Sequence, residues 1–424
     1  MKKTKIGYVI LMTLVLHLCF TISAGADVTD GKCGSKCTYT YDSETNELVI
    51  SGKGQITITP WKSKEFYNEI KSVIIENGIT AIKEEKAFYK CANLRKVTMD
   101  SSVEKISDNA FSQCKKIKEV VFPGVKKIGA YAFYNCGKLE NVSLSENIEN
   151  IGKYAFCNTS LGGEVLIRKD CRYGYCAFRN TKLKKVEYEE GIENISRLVS
   201  NCNLEEIKLP ESAVTIETCA FRSCGFKSIK IPDRVERICS YAFMNCTSLK
   251  RVQLPSSLQD LSRGAFLNCI NLKKVIIPSG VKVISNGAFR RCSKLEAVKI
   301  PDGVEVVENG AFESCISLKK IKLPSSLTKI AGYAFCSCEK ITEIRIPKNV
   351  EFIGTNAFTN DSNLKMIIIR SRKLNKLGWR AFNIATGKEY ELEILVPNNK
   401  KTRYSAIINK SMGEEMKYIK ITAY

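Results

Sequence analysis

The chain has 424 residues, an ordinary apolar fraction of 44% and a formal charge of +22. This composition excludes a disordered tail protein and favours acidic partners such as sulfated glycans, teichoic acids or acidic protein surfaces. Its single histidine, His17, lies near the start of the chain.

Residues 1–26 read as a secretory leader. Lys2, Lys3 and Lys5 form a charged start, Ile6 to Ile22 is mostly apolar, and Ala24-Gly25-Ala26 is a small-residue cleavage site. Removing this segment takes away three lysines and no acid, leaving +19 and no histidine. Histidine-dependent triads and dyads are then impossible. No phosphate loop or Gly-x-Ser-x-Gly elbow occurs, so an enzyme is not expected. No other segment is apolar enough to span a bilayer. The expected location is secreted or loosely cell-surface associated.

Beyond a cap over 27–69, an Ala-Phe pattern repeats along the chain. Its phenylalanines are Phe88, Phe111, Phe133, Phe156, Phe178, Phe221, Phe243, Phe266, Phe289, Phe312, Phe335, Phe358 and Phe382. They recur every 22 to 24 residues except across Phe178 to Phe221, where a degenerate unit carries Val199 in the Phe slot. One unit shows the design: Leu272-x-x-Val275-x-Ile277-Pro278, then Val281-x-x-Ile284, then Ala288-Phe289-x-x-Cys292. Fixed-period self-similarity of this kind marks stacked coils, because no single unit can bury its own apolar positions. The first segment alternates and reads as a strand. Proline then ends it, since it cannot donate to a ladder. Val-x-x-Ile brings two more apolar groups inward, and Ala-Phe-x-x-Cys fits one 3₁₀-like turn. The repeats predict one parallel sheet of about fourteen strands from Ile70 to Ile369, over a solenoid spanning 70–391 with a cap at 392–424. The phenylalanines form an aromatic core column.

Ten cysteines follow the Phe slot by three residues: Cys91, Cys114, Cys136, Cys202, Cys224, Cys246, Cys269, Cys292, Cys315 and Cys338. Cysteine is small, apolar and often buried. Stacked neighbours have Cβ vectors pointing the same way, which disfavours bridging, so these thiols are expected to be reduced core. Cys33 and Cys37 in the N-terminal cap are a possible disulfide. Cys219, Cys239 and Cys336 have no assigned partner. With no CxxC pair and no mature histidine, zinc is not expected, nor is any cofactor.

The residues between the apolar strand positions point outward and are often basic. Arg95-Lys96 and Lys184-Lys185 are early examples; Lys250, Arg251, Lys273, Lys274, Lys319 and Lys320 follow, with Lys230, Lys299, Lys322 and Arg345 in a further column. The candidate ligand-binding set is Lys250, Arg251, Lys273, Lys274, Lys299, Lys319, Lys320, Lys322 and Arg345. The bland alternative is a solvated face that keeps a repeat protein soluble. Nucleic acid is not an expected partner, because the chain is secreted and no aromatics interleave with the stripe.

The consensus Leu-x-x-Ile-x-Leu-Pro-x-x-Leu-x-x-Ile-x-x-x-Ala-Phe-x-x-Cys resembles that of BspA-like leucine-rich repeat proteins of bacterial and protist surfaces. Ile277 to Ile284 with Ala288-Phe289-Arg290-Arg291-Cys292 carries it almost letter for letter. Gly31-Lys32-Cys33-Gly34 to Gly54 is similar to the family's N-terminal β-cap, and Leu395-Val396-Pro397 with Tyr404 to its terminal unit. The resemblance implies a right-handed leucine-rich-repeat solenoid whose outward strand positions line a concave face, with no shared catalytic residue. It further implies adhesion to an extracellular protein, an acidic glycan or a neighbouring cell. The alternatives are a structural scaffold without polyanion binding, or a carboxylate-only secreted hydrolase. The middle departs from the pattern: Leu161-Gly162-Gly163-Glu164-Val165 has an extra residue, Arg197-Leu198-Val199 lacks Ala-Phe, and Cys157, Cys171 and Cys176 cluster there. An irregular coil near residues 157–203 is expected. Asn-x-Ser/Thr sites start at Asn141, Asn158, Asn194, Asn245, Asn360 and Asn409.

Overall fold

In the computed structural model, residues 28–382 and 392–424 are described. The leader read over 1–26 and the last stretch of the repeat region, 383–391, lie outside them.

Each repeat makes one coil of a β-solenoid, and the Leu-x-x-Val-x-Ile segments stack in parallel. Counting from Ser72–Ile75 to Met366–Ile369 there are fourteen such strands among the described residues. The stack is not one continuous ladder. It is interrupted between Asn141–Val142 and Glu164–Ile167, between Glu206–Lys208 and Ser228–Lys230, and between Lys320–Lys322 and Glu343–Ile346. The first interruption has a plain cause: the extra residue places Gly163 in the left-handed region at φ +71°, which turns the chain out of register.

The Val-x-x-Ile segments also form strands, two residues long except for Ile79–Ile82, and these make a second parallel stack on another side of the coil. Lys127-Ile128, for example, pairs with both Lys105-Ile106 and Asn150-Ile151. The sequence reading assigned these residues to the core but not to a sheet. Two-residue strands fall below the length at which alternation can be read.

The Ala-Phe turn is where the coil closes. Its amides alternate in direction. Lys86, Phe88 and Lys90 donate to the carbonyls of Asp108, Ala110 and Ser112 on the next coil, while Tyr89 and Cys91 donate back to Lys86 and Phe88 within the turn. This alternation requires left-handed residues two before and two after the phenylalanine. Asn109 (φ 57°) and Gln113 (φ 64°) flank Phe111, and Tyr241 (φ 59°) and Asn245 (φ 61°) flank Phe243. Asparagine and glycine tolerate that conformation, and Cys176 and Cys219 occupy this slot.

All thirteen phenylalanines are buried. Their rings stack with centroids 5.0–6.0 Å apart, in two runs, Phe88 to Phe178 and Phe221 to Phe382, the last pair tilted by 31°. Offset stacking of this kind adds to simple burial. Trp61 extends the first run into the N-terminal cap, 5.3 Å from Phe88, and its indole N–H donates to the Ala87 carbonyl. Val199 breaks the column.

Strands β1 (Val28–Lys32), β2 (Cys37–Asp42) and β3 (Glu47–Gly52) form an antiparallel meander whose last strand pairs in parallel with Ser72–Ile75. In this way a hairpin covers the open edge of the stack. Between β1 and β2 the chain must be glycine at Gly34, because a Cβ there would lie 2.6 Å from Cys37 Sγ. At the other end the helix α1 (Lys401–Met412) buries Tyr404, Ile408 and Met412 against the last coil. Tyr404 donates to the Ser371 carbonyl, and Ser411 to that of Gly378.

Candidate functional site

Two arrays recur along the solenoid, one inside and one outside. The inner array is the cysteine ladder. The ten thiols are all buried, and nine of them donate to the carbonyl of the Phe slot in the preceding coil. Cys114 reaches Phe88 O at 2.9 Å, Cys269 reaches Phe243 O at 3.2 Å and Cys292 reaches Phe266 O at 3.2 Å. At the cap end Cys91 reaches the Tyr67 carbonyl. Cysteine therefore does more than fill space. It gives each Phe carbonyl a second donor beside the turn amide, which the sequence reading missed because it treated the thiol as apolar. Burial pushes the thiols of Cys136, Cys246 and Cys292 up to about 12. All eighteen described cysteines are free thiols. In the folded protein the ladder thiols should react negligibly with maleimide at pH 8 and become fully reactive in denaturant without reductant. Rapid labelling of Cys269 or Cys292 in the native state would contradict this.

Asp361 stands in the slot of a ladder cysteine, three residues after Phe358. One carboxyl oxygen accepts the Cys338 N–H at 2.7 Å, and the other is buried without a partner. Desolvation holds its pKa well above the usual carboxylate range. The native state therefore keeps its proton more tightly than the unfolded chain does. The stability tied to that proton is present in acid and is lost as pH rises from about 4 towards neutrality. Asp361→Cys should raise stability at pH 7 by about 1–3 kcal/mol, and the gain should shrink towards pH 4. Paired urea melts of parent and variant check both points.

The outer array is the exposed side of the first strand stack, where parallel register lines up equivalent residues. Arg251 lies opposite Lys274, Lys274 opposite Ala297 and Ala297 opposite Lys320. One position before them, Lys227, Lys250, Lys273, Glu296 and Lys319 follow one another through backbone hydrogen bonds. Two positions after them, Lys230 lies opposite Gln253, Ile276 opposite Lys299 and Lys299 opposite Lys322, with Arg345 at the matching position of its strand. The side chains of Lys250, Arg251, Lys273, Lys274, Lys299, Lys319, Lys322 and Arg345 are exposed. Lys320 is placed here by its backbone alone.

From 227 to 345 these three columns carry eleven cations and two carboxylates, Glu296 and Glu343. From 71 to 208 the same columns carry seven cations and six carboxylates. In that earlier half four of the seven basic residues are neutralised across the ladder. Lys96 pairs with Glu119 at 3.5 Å and Lys185 with Glu164 at 3.2 Å; Lys184 pairs with Glu205 and Lys208 with Glu187. Among the described residues no carboxylate reaches Lys250, Arg251, Lys273, Lys274, Lys299, Lys319 or Lys322, and Arg345 pairs with Glu343 on its own strand. The Arg95-Lys96 and Lys184-Lys185 pairs seen in the sequence thus belong to a balanced surface, whereas the 227–345 field is unbalanced. Ile276, 65% exposed, stands in the middle of that field. The sequence reading passed over it, although its outward phase between Val275 and Ile277 was visible.

No helix among the described residues is long and apolar enough to cross a membrane, and no cluster of potential metal ligands occurs among them. No curated protein matches the chain. A leucine-rich repeat protein from Bacteroides ovatus, known from a crystal structure, is 23% identical over 92% of this chain and 99% of its own, with a TM-score of 0.63; it shares the fold. A leucine-rich repeat protein from Eubacterium ventriosum is 22% identical over 85% of this chain and 97% of its own, with a TM-score of 0.48. A leucine rich cell surface protein from Faecalibacterium prausnitzii is 21% identical over 85% and 99%, with a TM-score of 0.44. The model of the BspA type leucine rich repeat region matches residues 59–173, 171–296 and 282–402. With its repeats matched from the cap to the last coil, the chain belongs to the BspA type leucine rich repeat family.

Proposed function

We propose that this is a secreted or surface-associated binding protein whose exposed strand face over residues 227–345 holds an acidic extracellular polymer or the acidic surface of another protein. The observation that carries the reading is the set of like charges kept opposite one another. Arg251 faces Lys274 and Lys299 faces Lys322 across the ladder. Like charges at directly opposed positions destabilise a sheet, and at the equivalent paired positions of the earlier coils glutamates stand opposite Lys96, Lys185 and Lys208. A polyanion laid along the columns would remove the repulsion. Repeat surfaces commonly take extended partners, and Ile276 offers an apolar contact at the centre. Surface display accords with the leader read at residues 1–26 and with the family. No catalytic step enters this reading. The test is binding of the full chain to immobilised heparin and to neutral dextran at low and high salt. Binding to heparin that weakens steeply with salt, with none to dextran, is the expected result; equal retention on both would end the proposal.

The same compartment bears on Cys33 and Cys37. Both are buried, the Cys33 N–H donates to the Cys37 carbonyl at 3.0 Å, and the Cys37 thiol donates to the Gln55 carbonyl at 3.3 Å. In an oxidising environment this pair is the one placed to close a disulfide, which would lock the turn at Gly34. Peptide mapping without reduction should find Cys33 linked to Cys37 and the ladder cysteines unlinked. A free Cys33 in material exported by its own cell would refute the assignment.

A further inference from the structure

The second strand stack is interrupted between Arg172–Tyr173 and Asn194–Ile195, and a cavity of about 170 Å³ opens at that break. Its origin is legible in the coil. Register pairs Tyr173 with Ile151, but the segment before it is one residue short: Ile148 precedes Ile151 by three, while Cys171 precedes Tyr173 by two. A small thiol therefore stands where regular coils carry valine, leucine or isoleucine. On the following coil Tyr188 takes the place that Ile277 holds in a regular unit, and Leu198-Val199 replaces Ala-Phe.

The floor of this cavity carries an unmet donor. The Tyr188 ring is 3% exposed, and its hydroxyl is buried without any hydrogen-bond partner. The other tyrosine lining the cavity is satisfied, since the Tyr173 hydroxyl accepts the Arg168 N–H at 3.0 Å. An unpaired buried hydroxyl costs a fold a few kcal/mol at most and calls for an explanation. Here the explanation lies beside it. Ile167, Ile192 and Leu198 give the cavity apolar walls, and the cationic residues Arg168 and Lys169 complete its lining. The Arg168 guanidinium is held by the Glu146 carbonyl, and the Lys169 N–H is held by the Glu189 carboxylate.

We propose that this cavity is a binding site for a small hydroxy or oxo carboxylic acid. Its carboxylate lies against Arg168 and Lys169, its carbon body lies between the aliphatic walls, and its further oxygen accepts the Tyr188 hydroxyl. At roughly 30 Å³ per water the cavity holds about five or six waters, the space of an acid of about three to five carbons. The site lies in the coils lined by residues 167–198, outside the basic face over 227–345, so neither reading depends on the other.

The test uses the full chain with lactate, pyruvate and malate as probes and glycerol as the neutral control, read by saturation-transfer NMR and titration calorimetry. At least one acid should bind and glycerol should not. Tyr188→Phe removes only the hydroxyl. It should weaken binding about tenfold, the worth of one hydrogen bond of about 1.4 kcal/mol, without lowering the melting temperature. Cys171→Leu restores the side-chain size of the regular coils. It should abolish binding and raise the melting temperature by filling the space. Failure of all three acids to bind overturns the proposal, as does unchanged affinity in Tyr188→Phe. Unchanged affinity in Cys171→Leu overturns it as well, and leaves the cavity to ordered water.

Discussion

Replacing Lys273, Lys274, Lys319 and Lys322 together by serine is expected to weaken heparin binding by about 4- to 900-fold, taking roughly 0.2–1 kcal/mol for each exposed charge contact. The loss should be largest at low ionic strength and should vanish where the Debye length falls to about 3 Å, near molar salt. Thermal stability should stay level or rise slightly, because Lys299 and Lys322 repel across the ladder and none of the four contributes a salt bridge. The informative control is the balanced half of the same face. Changing Lys96, Lys184, Lys185 and Lys208 to serine removes as many charges, but each of these already has a glutamate partner. That variant should bind heparin almost as the parent does. Equal losses in both variants would mean that only net charge matters, and the face over 227–345 would lose its claim as a site.

Phe289→Ala is expected to cost about 3–5 kcal/mol, the usual range for deleting a fully buried aromatic ring. Phe289 is completely buried, and its ring is stacked 5.5 Å from both Phe266 and Phe312. Removing it unstacks two neighbours as well as emptying its own slot. In a solenoid each coil contacts only its neighbours, so the effect should concentrate in the coils on either side. Hydrogen exchange should show faster opening from about residue 266 to 312 and near-parent protection in the N-terminal coils. A denaturation midpoint within error of the parent would show that the aromatic column is not what holds the coils together.

Much of this architecture was legible because a core column repeats its chemistry. Thirteen Ala-Phe pairs at one phase define the coil, and the strand segment before each proline alternates clearly. What escaped the reading was set by contacts between coils that are remote in sequence. The second strand stack is built from two-residue strands such as Val283–Ile284, and these exist only because the next coil pairs with them. The role of cysteine depends on a carbonyl about 25 residues away, as in Cys246 to Phe221, and composition does not reveal such a partner. The basic columns were visible as residue types. Their neutralisation in one half and not in the other depends on which glutamate sits opposite which lysine, and that needs the register. Around residues 157–203 the sequence marked an irregular coil, but the cavity follows from a one-residue deficit that only alignment between coils exposes.

The missing ring at Val199 also has a mechanical meaning. A protein that tethers a surface to a polymer is pulled along its length, and a stack of identical coils distributes tension evenly until it meets an unlike joint. Between Phe178 and Phe221 the aromatic column is broken, and the second strand stack is interrupted between Arg172–Tyr173 and Asn194–Ile195, while the first stack continues through those coils. On the proposed function, extension under load is expected to begin at that joint, and the segment from Phe221 onward, which carries the unbalanced charge, is expected to stay folded while the joint lengthens.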